Sequence, residues 1–352
     1  MISHHKKEGY VNMIKQKIID IANIAGVSPA TVSNALNGRK GVSERTKETI
    51  RKVAREIGYS KDSAISPVQK VIKLVVFKKH GYVVSDTPFF ASLIEGSERE
   101  CRLLGYELLI THINSNESSY QQLIGNTNFA SLSGVLLLAT EMNTEDMILF
   151  ENIGVPIVVL DGSFSGNSFS SVLTNSVDAA YKAVKYLIEN GHVNIGYLHS
   201  SIYINNFHDR ERGYQQALEE YGIKPDKKFK MLLEPTMDGS YRDMKTSLSK
   251  AQKDLPTAFF ADNDIIACGV MRALKEEGVK IPQEVSIIGF DDMPFCEITN
   301  PRLTTIKVFK QEMGSIAVKR LNQIIQGQRS ISQKIELGTE LVPRDSVSRL
   351  IK

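Results

Sequence analysis

The chain has 352 residues, of which 42% are hydrophobic and 24% are charged, a composition typical of a soluble protein with about two or three domains. No apolar run approaches the roughly 20 residues that a membrane-spanning helix needs, and the polar first dozen residues argue against a secretory signal. The three cysteines, Cys101, Cys268 and Cys296, are scattered and odd in number. They predict reduced thiols in a cytoplasmic protein and argue against a disulfide framework.

The net charge of +3 is distributed unevenly along the chain. Residues 1–70 contain 13 Lys and Arg and 6 Asp and Glu, a balance of +7, whereas the remaining residues have a balance of −4. A basic segment joined to a slightly acidic body favours contact with a polyanion. A solvated charged face would give the same balance, so charge alone does not assign nucleic-acid binding.

Apolar residues recur at helical spacing in three groups near the N-terminus, which predicts three short helices in a domain of residues 17–60. Gly26 suits the tight turn after the first helix. Ser28 occupies the expected N-cap of the second helix, with proline at its first position, so that helix is predicted as Pro29–Leu36. Ser43 is predicted to cap the third helix. The inward face of the second helix would consist of Val32, Ala35 and Leu36.

The outward face of the second helix carries short side chains, namely Ala30, Thr31, Ser33 and Asn34. Short residues let a helix backbone approach a surface closely, and hydroxyl and amide groups hydrogen-bond to base edges and phosphates. A second helix of this kind fits the major groove in the helix-turn-helix arrangement. The alternative is a three-helix bundle that binds protein or no partner. The basic charge, the outward face and the turn together favour nucleic acid.

Residues 61–70 are polar, contain one proline and are predicted to be a linker. After them, short apolar runs alternate with helical stretches, which predicts an α/β body of residues 71–352 with parallel sheets. This segment exceeds the usual size of one sheet, so the body is predicted to have two lobes. The apolar runs are VIKLVVF, YELLITH, GVLLLAT, VPIVVLD, VNIGYLH, TAFFADN and VSIIGFDD, which begin at residues 71, 106, 134, 155, 193, 257 and 285.

The segment IIDIANIAGVSPATVSNALNGRKGVSERTKETIRKVAREIGY closely resembles the DNA-binding head of the lac and purine repressor family. The body resembles this family too, so the resemblance runs from about residue 17 to the end. It implies a dimer whose two heads bind the half-sites of a pseudopalindromic, double-stranded operator. It also implies base reading by Pro29, Ala30 and Asn34, and phosphate contacts from Ser28, Thr31, Ser33, Asn37 and Tyr59.

Three positions depart from the family pattern. Asn34 stands where the family often has Arg, and because Asn pairs with adenine whereas Arg pairs with guanine, a shifted operator preference is expected. Lys17 replaces the usual Thr cap, which weakens the start of the first helix. Val68 aligns with the hinge leucine that inserts into the minor groove, and it follows Pro67, a residue that short helices accept in the first turn. Val68 is therefore included among the expected DNA contacts.

The body resembles the periplasmic-binding-protein-like fold with which family members bind effectors in a cleft at the carboxyl ends of the strands. Carboxylate, amide, guanidinium and aromatic groups occur at these positions, and together they suit a polyhydroxylated ligand such as a sugar. The expected effector-binding residues are Phe89, Phe90, Asp161, Asn206, Arg210, Asn263 and Asp291.

Several of these positions also have a structural interpretation. Phe89 or Phe90 would equally suit the core. In the run DND, Asp264 is predicted to cap a helix, because three consecutive residues cannot all point at one metal ion. Asp291 and Asp292 have the composition of an acid–base pair, but no nucleophile or metal-ligand set accompanies them. We therefore expect no catalytic residue, no metal and no cofactor.

The run TNPRLTTI resembles the family's third crossover between lobes. Lobe one is then expected at about 71–173 and 304–333, and lobe two at about 174–303 and 334–352. The C-terminus has no leucine heptads, which favours a dimer over a tetramer. Family heads begin a few residues before the first helix, so translation is expected to start at Met13, with residues 1–16 an extension.

Taken together, these features predict a cytoplasmic, effector-responsive repressor of a carbohydrate-utilisation operon. Its expected partners are operator DNA, a second copy of the chain and a small effector, with no membrane. One alternative is a global regulator controlled by a phosphorylated partner protein. The others are a sugar-binding transport protein, disfavoured by the head, and a sugar-processing enzyme on a similar fold.

Overall fold

The computed structural model describes residues 18–36, 42–56, 70–84, 88–115, 124, 129–164, 166, 168–250, 254–327 and 331–350. The chain divides into two compact units, Met1–Gln69 and Lys70–Lys352. The predicted N-terminal extension and residues 61–69 of the predicted linker lie outside the described residues.

The described part of the first unit contains three helices: α1 (residues 18–25), α2 (Pro29–Leu36) and α3 (Glu44–Glu56). Gly26 adopts a φ of +65°, which lets the chain turn between α1 and α2. The Ser28 Oγ accepts a hydrogen bond from the Thr31 backbone N–H at 3.1 Å. The Ser43 Oγ accepts one from the Thr46 N–H at 3.2 Å. Both predicted N-caps and the predicted bounds of α2 are therefore confirmed.

A small apolar core holds these helices together. From α2 it takes Val32 and Ala35, which are buried, and Leu36, which is half-buried and packs against them. The opposite side of α2 is left facing outward, as its side-chain pattern predicts. The buried members of this core are Ile21, Ala22, Val32, Ala35, Ile50, Val53 and Ala54.

The larger sheet of the second unit has the strand order β11-β5-β4-β3-β1-β2, and its strands pair in parallel. Every residue of the central strands β3, β4 and β5 is buried, as expected for a parallel sheet covered on both faces. The strands are β1 (Val71–Lys78), β2 (Glu107–Asn114), β3 (Gly134–Leu138), β4 (Ile157–Leu160), β5 (Ser170–Thr174) and β11 (Lys334–Leu337).

The smaller sheet has the order β7-β6-β8-β9 and is also parallel. Its strands are β6 (Ile195–Ser200), β7 (Lys230–Leu233), β8 (Ala258–Ala261) and β9 (Ser286–Ile288). Beside it, β10 (Thr305–Lys307) pairs antiparallel with β12 (Glu340–Val342). Thr304 and Lys307 also form isolated bridges to Ile288 and Asp291.

Helices connect and cover the parallel strands, as parallel pairing requires. In the second unit α4 packs against α10, α6 against α7, and α8 against α9. These helices are α4 (Pro88–Leu103), the short α5 (Thr144–Met147), α6 (Ser176–Glu189), α7 (Asn205–Glu220), α8 (Met237–Lys250), α9 (Asp264–Glu276) and α10 (Lys310–Ile325).

The predicted lobe boundaries need correction at two places. β11 pairs with β5 in the larger sheet, so residues 334–337 belong to lobe one, although they were predicted in lobe two. Residues 304–307 bridge to the smaller sheet and therefore lie in lobe two, although they were predicted in lobe one. The crossovers fall near residues 175, 308 and 338, because strand pairing, which is non-local, decides to which lobe a short segment belongs.

All three cysteines are buried free thiols, as predicted from their number and spacing. In the part of the chain that the structure describes, no helix combines the length and the apolar character needed to cross a membrane.

Candidate functional site

The outward face of α2 presents the predicted DNA-contacting side chains of this helix. Ser28, Pro29 and Ala30 are exposed, and Thr31, Ser33 and Asn34 are partly exposed. The Ser28 and Thr31 hydroxyls lie 2.8 Å apart and hydrogen-bond to each other at the helix N-terminus. Such a terminus favours anions such as phosphate. The other predicted contacts lie outside the described residues, and they are Asn37, Tyr59 and Val68.

A cleft in the second unit is lined by all seven predicted effector-binding residues. They come from both lobes, because the carboxyl ends of parallel strands gather at one edge of each sheet. Asp161 follows β4, Asn263 follows β8 and Asp291 follows β9. Helix α4 contributes Phe89 and Phe90, and α7 contributes Asn206 and Arg210. That these residues bind an effector remains a prediction.

Asp161 lines the cleft, and its backbone adopts a φ of 56°. Its Oδ2 accepts a hydrogen bond from the Thr140 hydroxyl at 2.6 Å, and its Oδ1 accepts one from the Asn206 amide at 3.0 Å. Burial raises the pKa of the Asp161 carboxyl to about 6, although Thr140 and Arg210 act to lower it. This carboxylate accepts hydrogen bonds and gains stability from every further donor that reaches it.

Arg210 is 5% exposed, and its guanidinium stacks on an aromatic ring. Its Cζ lies 3.7 Å from the centroid of the Phe290 ring, a cation–π arrangement. Its Nη1 donates to the backbone carbonyl of Asp262, and its Nη2 lies 3.5 Å from the Asp291 Oδ1. These contacts hold the planar group at the cleft wall.

Two buried polar atoms of the cleft have no hydrogen-bond partner among the described residues, the Arg210 Nε and the Asp291 Oδ1. Buried polar groups are paired in the great majority of cases, so each such atom calls for an explanation. One is a donor and the other an acceptor, and both belong to residues that line the same cleft. A hydroxyl group can serve both kinds of atom.

The backbone at Asp291 has a φ of 115°, a conformation that L-residues rarely adopt. Burial raises the pKa of Asp291, while the nearby Arg210 and Lys310 act to lower it and Asp262 adds to the rise. Lys310 donates a hydrogen bond to the Asp291 backbone carbonyl. The residue is therefore held by a lysine from lobe one, which the sequence pattern did not indicate.

The predicted helix cap at Asp264 is wrong, because the cap of α9 is Asn263. The Asn263 side chain accepts from the Ile266 backbone N–H at 2.9 Å, and its backbone is extended. Asp264 is the first helical residue, and its carboxylate accepts from the Thr305 hydroxyl at 2.6 Å and the Met293 N–H at 2.9 Å. These non-local donors turn its side chain away from the helix N-terminus.

Phe89 and Phe90 belong to the core and also line the cleft. Each is less than a tenth exposed. Their rings meet edge to face with centroids 5.0 Å apart. The core packing therefore fixes the aromatic wall of the cleft.

Six further residues line the cleft besides the seven predicted ones. Thr140 follows the buried strand β3 as Asp161 follows β4, so the same strand-end signal identifies it. The others are apolar and have no chemical signature that separates them from core residues. The six are Val83, Thr140, Ile204, Phe207, Ile265 and Met293.

Residues 17–62 match the family model for bacterial regulatory proteins of the lacI family, and residues 184–347 match the periplasmic binding protein-like domain. The HTH-type transcriptional repressor PurR of Mannheimia succiniciproducens is 32% identical over 338 residues, which span 95% of this chain and 99% of that protein. PurR of Pasteurella multocida is 32% identical over 339 residues, with the same coverage of both chains.

Solved structures of transcription regulators are also similar to this chain. A complex of the transcriptional regulator CelR with cellobiose has a TM-score of 0.71 and 25% identity, covering 93% of this chain and 98% of that one. A LacI family regulator from Enterococcus faecium with bound ribose has a TM-score of 0.68 and 26% identity, covering 80% and 100%. The lac repressor dimer bound to operator, at 23% identity, shares the fold with a TM-score of 0.71 over 94% and 98%.

The structure has a helical head and a two-lobed α/β body with parallel sheets. The head matches the lacI family model, and the relatives named as repressors span nearly the whole chain. The predicted fold and family are therefore confirmed. The protein belongs to the lacI family of bacterial regulatory proteins and is a DNA-binding transcription regulator.

Proposed function

We propose that the protein is a dimeric repressor controlled by a small polyhydroxylated effector of the sugar class. The outward face of α2 reads the operator, and the cleft between the lobes holds the effector. The genes that it regulates then encode proteins that the cell needs to use that carbohydrate. The relatives named as repressors support the direction of regulation.

The DNA-reading role is supported by the side chains of α2. Its apolar residues serve the core of the head, and its short polar residues face outward. Asn34 carries an amide, which pairs through two hydrogen bonds with adenine in the major groove. Ser28 and Thr31 sit at the helix N-terminus, where hydroxyls and backbone N–H groups suit a phosphate.

The effector role rests above all on one observation: seven polar and aromatic residues converge on a single cleft, in which the Arg210 Nε and the Asp291 Oδ1 lack a hydrogen-bond partner among the described residues. The carboxylates of Asp161 and Asp291 accept hydrogen bonds, and the Arg210 guanidinium donates them. Two structural relatives hold cellobiose and ribose, respectively. A sugar offers hydroxyls that donate and accept at once, which suits this set of groups.

Control of DNA binding by the effector is supported by the fact that residues of both lobes line the cleft. Phe89 and Asp161 belong to lobe one, whereas Arg210 and Asp291 belong to lobe two. An effector that contacts both lobes favours one arrangement of the lobes over others, and that differential affinity is what shifts a population.

The dimer is supported by exposed apolar side chains on β2, which is the last strand of the larger sheet among the described residues. Leu109 and Ile110 of this strand are 48% and 40% exposed. Leu103, at the end of α4, is 73% exposed. Exposed apolar edges invite pairing with another chain, and a second copy would cover them.

The proposal is tested by selecting binding sites from random double-stranded DNA with the full chain. Recovered sites should be pseudopalindromic, and sedimentation should give the mass of two chains. Fluorescence anisotropy on the selected site, with and without a panel of sugars that includes cellobiose and ribose, should reveal one sugar that changes affinity. No selected sequence, or turnover of a sugar, would overturn the proposal.

A further inference from the structure

A buried carboxylate lies directly beside the cleft without lining it. Glu141 follows Thr140 at the end of β3, and its side chain is fully buried. Its two oxygens accept hydrogen bonds from five backbone N–H groups. The Oε2 accepts from Lys79, His80 and Gly81 at 2.8, 3.0 and 2.9 Å, and the Oε1 accepts from Val83 and Val84 at 2.9 and 2.7 Å.

All five donors belong to one loop, residues 79–84, which follows β1. This loop forms neither helix nor strand, so its N–H groups do not pair within regular secondary structure. Each of these N–H groups needs an acceptor in the protein or in water, and a buried carboxylate is costly unless it is hydrogen-bonded. The loop N–H groups and the Glu141 carboxylate satisfy each other through charge-assisted hydrogen bonds, which are roughly twice as strong as neutral ones.

The carboxylate is ionised at neutral pH. Burial by itself raises the pKa of Glu141, but the nearby His80 ring and the hydrogen bonds from the loop backbone lower it to about 2. The His80 Nδ1 lies 3.2 Å from the Oε1. The net effect has the sign expected for a carboxylate that accepts several backbone hydrogen bonds.

The loop and the strand end that Glu141 joins both reach the cleft. Val83, inside the loop, is a lining residue of the cleft. Thr140, the neighbour of Glu141, also lines the cleft and donates to Asp161. A change in the loop therefore alters one wall of the cleft directly, without any change in the side chains expected to touch the effector.

We propose that Glu141 is a positioning residue of the effector cleft, whose carboxylate holds loop 79–84 in the shape that places Val83 on the cleft wall. This inference rests on the proposed function for the statement that the cleft binds an effector. The contacts between Glu141 and the loop do not depend on that function. Glutamine cannot replace the carboxylate, because its amide nitrogen would face backbone donors. Aspartate is one methylene shorter and does not reach both groups of donors.

The test measures amide hydrogen exchange of the full chain by mass spectrometry, in the absence of any effector. Peptides that cover residues 79–84 should exchange slowly in the wild type and roughly tenfold or more faster in Glu141→Ala and Glu141→Gln. A peptide from α6 should exchange at the wild-type rate in all variants. Lys79→Met serves as the matched control, because it removes the 2.9 Å Lys79–Asp146 ion pair and leaves the loop N–H groups bonded to Glu141.

Chemical rescue separates a carboxylate anchor from simple packing. Sodium formate should restore slow exchange of the loop in Glu141→Ala, because formate supplies two acceptor oxygens, whereas formamide and sodium chloride should not. If Glu141→Ala fails to fold, the isosteric Glu141→Gln carries the test. Wild-type loop exchange in Glu141→Gln, or equal rescue by formamide, would overturn the inference. Since no sugar is used, failure of the sugar screen leaves this result standing.

Discussion

Lys310, the first residue of α10, donates a hydrogen bond from its Nζ to the backbone carbonyl of Asp291, which follows β9. The same Nζ lies 3.4 Å from the Asp292 carbonyl and 5.7 Å from the centroid of the Phe89 ring. One side chain thus joins lobe one to the loop of lobe two at the cleft. Asp291 and Asp292 both have positive φ, a conformation that persists where surrounding contacts maintain it.

Replacing Lys310 by methionine keeps the aliphatic stem and removes the donor. We expect the effector affinity of Lys310→Met to fall roughly ten- to a hundredfold, since the loss of a hydrogen bond that involves a charged group costs about 1.5–3 kcal/mol. Operator affinity without effector should stay near that of the wild type. Calorimetric titration with the sugar identified by the anisotropy screen measures the first, and anisotropy measures the second.

The matched control is Lys182→Met on α6, where the lysine is 45% exposed and pairs with Asp178 within the same helix. This variant should bind the effector as the wild type does. Equal loss in both variants would mean that Lys310 acts through general charge and not through its contact with Asp291.

Asn34 is expected to read a base. Asn34→Ala should weaken binding to the selected operator by about 1–3 kcal/mol and change binding to random DNA little. Competition titrations at one fixed salt concentration measure both affinities. A uniform loss on all sequences would identify a phosphate contact, and unchanged binding would remove Asn34 from the interface.

Arg210 and Asp291 are expected to carry the effector response. Arg210→Ala and Asp291→Ala should fold, dimerise and bind operator but lose the effector-dependent change in affinity, because buried partner groups are left unpaired at about 1–3 kcal/mol each. Arg210→Lys should also fail, since an ammonium lacks the planar fork that stacks on Phe290. Full response in either alanine variant would assign that residue a structural role, whereas loss of operator binding without effector would assign it to coupling.

Stability should depend on pH with opposite signs for two groups of carboxyls. Burial raises the pKa of Asp161 to about 6, and burial with the charge of Asp291 raises that of Asp264 to about 7, from 3.8. Raised values mean that the folded state binds the proton more tightly. The stability from these two groups is fully present below about pH 4 and is lost as the pH rises through 6 and 7.

Glu141 has the opposite sign, because its pKa is lowered from 4.5 to about 2. Its stabilising contribution is present above pH 4.5 and is lost as the pH falls toward 2. As the pH rises from 4 to 6, the denaturant midpoint should fall less steeply in Asp161→Asn than in the wild type. As the pH falls below 4.5, the midpoint should fall less steeply in Glu141→Gln than in the wild type. Unchanged slopes would contradict these assignments.

Features that depend on neighbours in the chain could be predicted from the sequence alone. The bounds of α2, both N-caps of the head and the turn at Gly26 follow from residue type and spacing within a few positions. All seven apolar runs form strands, and β3 and β4 are apolar along their whole length because both of their faces are covered. The seven expected effector residues meet in one cleft because strand ends of a parallel sheet share an edge.

Features that depend on distant partners were decided by the tertiary structure. β5 begins with two buried serines and was not predicted. The Ser170 Oγ accepts from the Arg320 Nε and the Gln333 N–H, both at 3.1 Å, so its partners lie about 150 residues or more away in the chain. The lobe membership of β10 and β11 was likewise set by strand pairing.

The difference between local and distant partners also explains which residues of the candidate site could be predicted and which could not. Residue type and position within a strand–loop–helix unit pointed to Asp161, Arg210 and Asp291, because their chemistry is visible in the sequence. Nothing local to Glu141 or Lys310 indicates what they hold, since their partners stand 57–62 and 19 positions away. A side chain's type states what it is able to bond, but the fold alone brings the partner within reach.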